Sequence, residues 1–105
     1  MNNVYIMSAN RSAIGGFGGT LKNHCPVDLG TLVAKEAITR SGYEANEVEH
    51  AVFGNVIHTE PRDMYVSRVI ALQAGMDKAS AALTVNRLCG SGLQSIVSAS
   101  QILML

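Results

Sequence analysis

Apolar residues along this chain alternate between short continuous runs and longer, spaced series. Val4-Tyr5-Ile6-Met7, His50-Ala51-Val52-Phe53 and Ala82-Leu83-Thr84-Val85 have the length and composition of buried strands. Between the first two, Leu29, Leu32, Val33, Ala37 and Ile38 recur at helical spacing. Pro26 suits the first turn of that helix and Asp28 complements its positive end, while Arg40 closes the last turn and Gly42 caps it. A second helix is predicted to carry Val66, Val69, Ile70 and Leu72 and to stop near Gly75; a third opens at about Cys89. Gly15-Gly16-Phe17-Gly18-Gly19 reads as a loop, Gly54 ends the second strand, and a polar loop runs from His58 to Asp63. The order β-α-β-α-β-α predicts a parallel sheet of the α/β class, with no repeat, low-complexity tract or linker dividing residues 1–105.

The third helix departs from an ordinary surface helix. No charged residue occurs from Leu88 to Leu105. Ser91, Gln94, Ser95, Ser98, Ser100 and Gln101 make the stretch too polar for a membrane span. Leu93, Ile96, Val97, Leu103 and Met104 form a stripe, and small residues fill the other faces, which predicts a central helix packed on several sides. Ile102-Leu103-Met104-Leu105 offers no cap, so the chain is expected to be cut inside this helix, before further strands.

Composition sharpens that expectation. Hydrophobic residues make up 48% and charged residues 15%, more apolar surface than so short a chain easily buries. Eight basic and eight acidic residues give a formal net charge of zero, which provides no footprint for nucleic acid or an anionic membrane. Met1-Asn2-Asn3 has no basic region of a signal peptide, and Cys25 and Cys89 are too far apart for a Cys-x-x-Cys motif. A reducing, cytoplasmic setting with both thiols free is the expectation.

The chemistry concentrates at Asn86-Arg87-Leu88-Cys89-Gly90-Ser91-Gly92-Leu93. A cysteine between a strand and a helix faces the helix's positive end, which favours thiolate, and the free N–H groups of the first turn can bond a developing oxyanion. An exposed dipole contributes only about 0.3–1 kcal/mol, or ~2 when partly buried, so a second activator such as a histidine is needed. His24, His50 and His58 have no spacing that places them on Cys89, so the base is expected outside this stretch of sequence. The pattern alone leaves a small structural thiol equally open. Cys25, just before Pro26, reads as structural, and no histidine pair shares a face suited to a metal. The glycines fit no nucleotide motif: from Gly16 and Gly18 the third position falls on Leu21, and no Gly-Lys-Ser/Thr follows. Around Ser91, Cys89 stands where a serine nucleophile elbow needs glycine.

Thr84-Val85-Asn86-Arg87-Leu88-Cys89-Gly90-Ser91-Gly92-Leu93-Gln94 closely resembles the acyl-enzyme signature of thiolases. Residues 9–19 resemble their N-terminal segment, with Ser12 where threonine is frequent, and Gly54-Asn55-Val56 the turn after their second strand. The loop from His58 to Tyr65 looks like that of some bacterial β-ketothiolases. The match runs the whole length in order, so residues 1–105 resemble part of a thiolase N-terminal domain.

The resemblance implies two similar halves stacked in five layers, of which this chain supplies most of the first. It implies an acyl-CoA acyltransferase that forms or cleaves 3-ketoacyl-CoA through an acyl thioester on Cys89, whose backbone N–H serves as one oxyanion donor. Acyl-CoA and CoA are the implied substrates, with no other cofactor and no metal. The second cysteine and the histidine of the family motifs do not map onto this chain, and Cys25 lies in no matching motif. Homodimers or homotetramers are implied, with the strand ending at Val85 pairing with its mate, and the loop from His58 to Tyr65 is expected near that interface, influencing acyl-chain choice. The alternatives are another condensing enzyme of the same fold, such as a ketoacyl synthase, or a non-catalytic CoA- or lipid-binding protein. These 105 residues alone are expected to be inactive.

Overall fold

The computed structural model describes residues 2–105. Helix α1 spans Pro26–Ser41, strand β1 His50–Gly54, helix α2 Val66–Gln73, strand β2 Ala81–Val85 and helix α3 Ser91–Met104. Single 3-10 turns precede β1 (Ala45–Glu47) and α2 (Pro61–Tyr65). The helix signals read from sequence are the ones used: Pro26 opens α1, and Gly42, at φ 80°, caps it with its N–H on the Thr39 carbonyl.

β1 and β2 pair in parallel, His50 opposite Ala81 through Gly54 opposite Val85, and α2 makes the crossover. Strand alternation then decides what lies on each face. Ala51 and Phe53 point to the α2 side, where Val27, Val66 and Ile70 form one buried cluster and Ala51, Ala71 and Met76 another, with Phe53 packed against both. Burial of these side chains is the main cohesive term, at roughly 1.5–3 kcal/mol for each large one. Val52 points the other way, toward Ile96 and Ala99 of α3. The Ser67 hydroxyl, 1% exposed, accepts from the Phe53 N–H (3.2 Å) and donates to the Leu83 carbonyl (2.8 Å), so one α2 side chain holds both strands.

Three expectations need correcting. The run Val4 to Met7 is not a strand, because no described backbone pairs with it. Its continuation is tied instead to α1, where the Ser8 hydroxyl donates to the Ala37 carbonyl (2.8 Å) and the Asn10 amide to the Val33 carbonyl (3.0 Å). In α2 the inner face is Val66, Ser67, Ile70 and Ala71, while Leu72 is exposed, because 3.6 residues per turn carry position 72 off the face shared by 66, 67, 70 and 71. The third helix begins at Ser91, two residues after Cys89, and is not enclosed: Leu93 is 70% exposed and Leu103 63%. Two strands, about 5 Å apart, cover only one stripe of a helix ~10 Å wide.

The loop between β1 and α2 folds around Asp63, which is fully buried. Its Oδ2 accepts from the Thr59 N–H (2.7 Å), the Thr59 hydroxyl (2.8 Å) and the Glu60 N–H (3.1 Å). The Asn55 side-chain amide meets the Asp63 carbonyl (3.1 Å) and His58 Nδ1 (2.9 Å). Burial pushes the Asp63 carboxyl up, but the bonds from Thr59 and Glu60, aided by His58, outweigh it and hold it below the usual carboxylate range.

Two stability predictions follow from these contacts. A Cβ on Gly54 would lie 2.7 Å from the Ser91 carbonyl carbon and 2.8 Å from Ser91 Cβ. Gly54→Ala is therefore expected to cost about 1–3 kcal/mol in urea unfolding, whereas Gly16→Ala, in open space, leaves the midpoint nearly unchanged. Because the folded Asp63 carboxyl is depressed, its stabilisation is present above the unfolded value near ~3.9 and lost as pH falls through the folded one. Asp63→Asn should unfold at lower urea at pH 7 and lose that part of the acid dependence; identical pH profiles would refute the role given to this carboxylate.

Candidate active site

The C-terminal ends of parallel strands, where a ligand meets loop backbone and helix N-termini, are the usual place for a site in an α/β fold. Here two loops meet on that rim. The Asn55 N–H donates to the Val85 carbonyl (3.0 Å), extending the ladder past the strands, and the Asn86 side-chain amide reaches the Val56 carbonyl at 3.5 Å. The chain leaving β2 then turns sharply into α3 through Arg87-Leu88-Cys89-Gly90.

That turn holds the one non-glycine residue with positive φ among the described residues, Leu88 at 49°. A side chain in the left-handed region costs about 1–3 kcal/mol, so neighbouring bonds must hold it. The Leu88 N–H donates to Asn86 Oδ1 (3.0 Å), and the Leu88 carbonyl accepts from both the hydroxyl (2.6 Å) and the N–H (3.0 Å) of Ser91. The Ser91 hydroxyl also accepts from the Arg87 N–H (2.8 Å), and the Arg87 guanidinium donates to Gln94 Oε1 (2.8 Å) across the first turn of α3. Ser91 is 4% exposed and Cys89 is exposed.

Cys89 thus rides on a constrained turn with its thiol open to solvent, just before the N-terminus of a 14-residue helix. Among the described residues, no hydrogen bond to protein is found from the backbone N–H groups of Cys89, Gly92 and Leu93, which leaves free donors at the start of α3 for an anion or oxyanion.

The other candidates lie elsewhere. His50 starts β1, at the opposite end of the sheet from Cys89, about 13 Å away by strand rise alone. His58 is engaged with Asn55 in the loop after β1, and His24 precedes α1 with its N–H on the Leu21 carbonyl. None hydrogen-bonds Cys89. Cys25 is the N-cap residue of α1; a hydrogen bond with Asp28 raises its thiol above the ordinary value, and Arg62 Nη2 lies 3.5 Å from its sulfur. It is a protonated, partly covered thiol, and no disulfide joins it to Cys89. Among the described residues no group of three His, Cys, Asp or Glu side chains is placed to hold a metal, and no helix is long and apolar enough to cross a membrane.

The sequence singles out Cys89 as the candidate but not the residues that shape its turn. Asn86 and Ser91 carried a signal, since short polar side chains beside glycine often bond local backbone. The positive φ of Leu88 carried none, because leucine has no preference for it.

Known proteins match this arrangement over nearly its whole length. The family model for the thiolase N-terminal domain matches residues 4–105. Beta-ketothiolase BktB of Cupriavidus necator is 56% identical over 102 residues, 97% of this chain and 26% of that protein. The human mitochondrial 3-ketoacyl-CoA thiolase is 37% identical over 101 residues, 96% of this chain and 25% of its own length. A crystal structure of a thiolase from Ascaris suum in complex with coenzyme A superposes with a TM-score of 0.88 at 31% identity, covering 95% of this chain and 26% of that one. The chain spans about a quarter of the length of these relatives. With its strand–turn–helix site and a family match running from residue 4 to residue 105, the chain belongs to the thiolase family.

Proposed function

We propose that Cys89 is the acyl acceptor of a thiolase reaction on coenzyme A thioesters. The observation that carries this is the exposed Cys89 on a constrained turn leading into a helix whose first N–H groups, at Gly92 and Leu93, are unpaired among the described residues. The Cys89 thiolate attacks the carbonyl carbon of an acyl-CoA; the oxyanion forms against those N–H groups; the C–S bond to CoA breaks and CoA leaves as a thiol after gaining a proton. The α-carbanion of acetyl-CoA then attacks the acyl-enzyme to give 3-ketoacyl-CoA and regenerate Cys89; thiolysis is the reverse.

This chain supplies the nucleophile and donors. No described side chain is placed to move protons at Cys89, so the base is proposed to come from the other three quarters of a thiolase subunit, which would also cover the exposed face of α3. A cytoplasmic setting suits two unpaired thiols. A ketoacyl synthase would share the nucleophile but need an acyl carrier protein, and a non-catalytic binding protein would not acylate Cys89.

The test is a chimera in which residues 4–105 replace the matching segment of the Cupriavidus necator enzyme. It is expected to cleave 3-ketoacyl-CoA and to carry an acyl adduct on Cys89 after mixing with acyl-CoA. Cys89→Ala should lower kcat by about 10⁴-fold or more. Turnover that survives Cys89→Ala, or an adduct found elsewhere, would sink the proposal.

The same chimera tests dimer pairing. Among the described residues one edge of β2 has no partner, and Ala81, Ala82 and Leu83 are exposed, so a second copy is proposed to pair there. Ala82→Asp sets like charges against each other across the pair and should shift sedimentation toward monomer; an unchanged dimer would place the interface elsewhere.

A further inference from the structure

We infer that Asn86 and Ser91 are positioning residues that act through Leu88, clamping its two peptide groups so that Cys89 faces the start of α3. The inference rests on the acyl-acceptor role proposed for Cys89. Leu88 sits at φ 49° without the freedom of glycine. Each of its backbone groups is held by a side chain: its N–H by Asn86 Oδ1 at 3.0 Å and its carbonyl by the Ser91 hydroxyl at 2.6 Å.

Both jaws are anchored outside the turn. The Asn86 amide reaches back 3.5 Å to the Val56 carbonyl on the exit from β1. Ser91 is pressed so closely on Gly54 that no Cβ fits between them, and its hydroxyl also holds the Arg87 N–H at 2.8 Å. Neither side chain hydrogen-bonds the sulfur. Without them, Leu88 relaxes toward negative φ and swings Cys89 out of its place before the first turn of α3.

The two cysteines of this chain allow the test to be made within one molecule. Alkylation by iodoacetamide is followed site by site by mass spectrometry, with Cys25, on the far side of Arg62, as the reference thiol. Asn86→Ala and Ser91→Ala are each expected to slow Cys89 about tenfold while Cys25 keeps its rate, because the turn that presents Cys89 loses a bond holding residue 88 at positive φ. Adding Leu88→Gly to either variant should bring Cys89 back to within about twofold, because glycine takes positive φ about as readily as negative.

Three outcomes overturn the clamp. Cys89 rates equal to the unaltered chain show that the side chains do not position it. A slow Cys89 that Leu88→Gly fails to rescue shows that the effect does not pass through residue 88. Faster Cys25 labelling in step with the change shows that the substitutions loosen the whole fold. The acyl-acceptor reading is judged separately, by the Cys89→Ala chimera, so each can fail alone.

Discussion

The contact on which the structure depends is the approach of α3 to the end of β1, where Ser91 lies against the bare backbone of Gly54. A helix can start that close to a strand only if the strand offers no side chain there. Once it does, the Ser91 hydroxyl is buried and must be satisfied, and it reaches Leu88 and Arg87. The turn that presents Cys89 is therefore shaped by a packing constraint on the other side of the helix terminus.

The sheet brings the remaining parts to the same rim. β1 and β2 run in parallel, so the loops leaving both emerge side by side, and the ladder continues past them through Asn55 and Val85. Ser67 holds both strands from α2, and Asp63 closes the loop between β1 and α2 with three bonds to one oxygen. These polar groups lie in or beside the apolar core, where an unmade bond is expensive, so they fix the register and the loop more firmly than apolar packing alone would. Their common effect is to hold still the backbone from which Cys89 is displayed.

Chemically the site is one-sided. The exposed thiol of Cys89 stands before the start of α3, none of His24, His50 and His58 hydrogen-bonds it, and α3 shows apolar side chains on the face that the two strands do not reach. Nucleophilic chemistry at a thiol also needs a group to move protons, and no described side chain hydrogen-bonds Cys89 to do so.

Much of this was legible in residue order. Pro26 and Gly42 bounded α1, Gly54 ended β1, and Asn-Arg-Leu-Cys-Gly-Ser-Gly marked the site, because each depends on local backbone preference or on a motif within a few residues. The apolar run Val4 to Met7 fits a strand by pattern yet forms none here, because periodicity records which side chains are apolar and is silent on whether a backbone partner exists. Leu72 and the stripe on α3 fell to the exposed side for a similar reason: burial depends on how much neighbouring surface is present, which two strands supply only in part. By itself the sequence determined the helices, the two paired strands and the family, and it singled out Cys89 as the candidate nucleophile. Only the tertiary structure decided the left-handed Leu88, the bonds of Asn86 and Ser91 to it, and the close approach of Ser91 to Gly54, since these arise where residues from different elements are forced together.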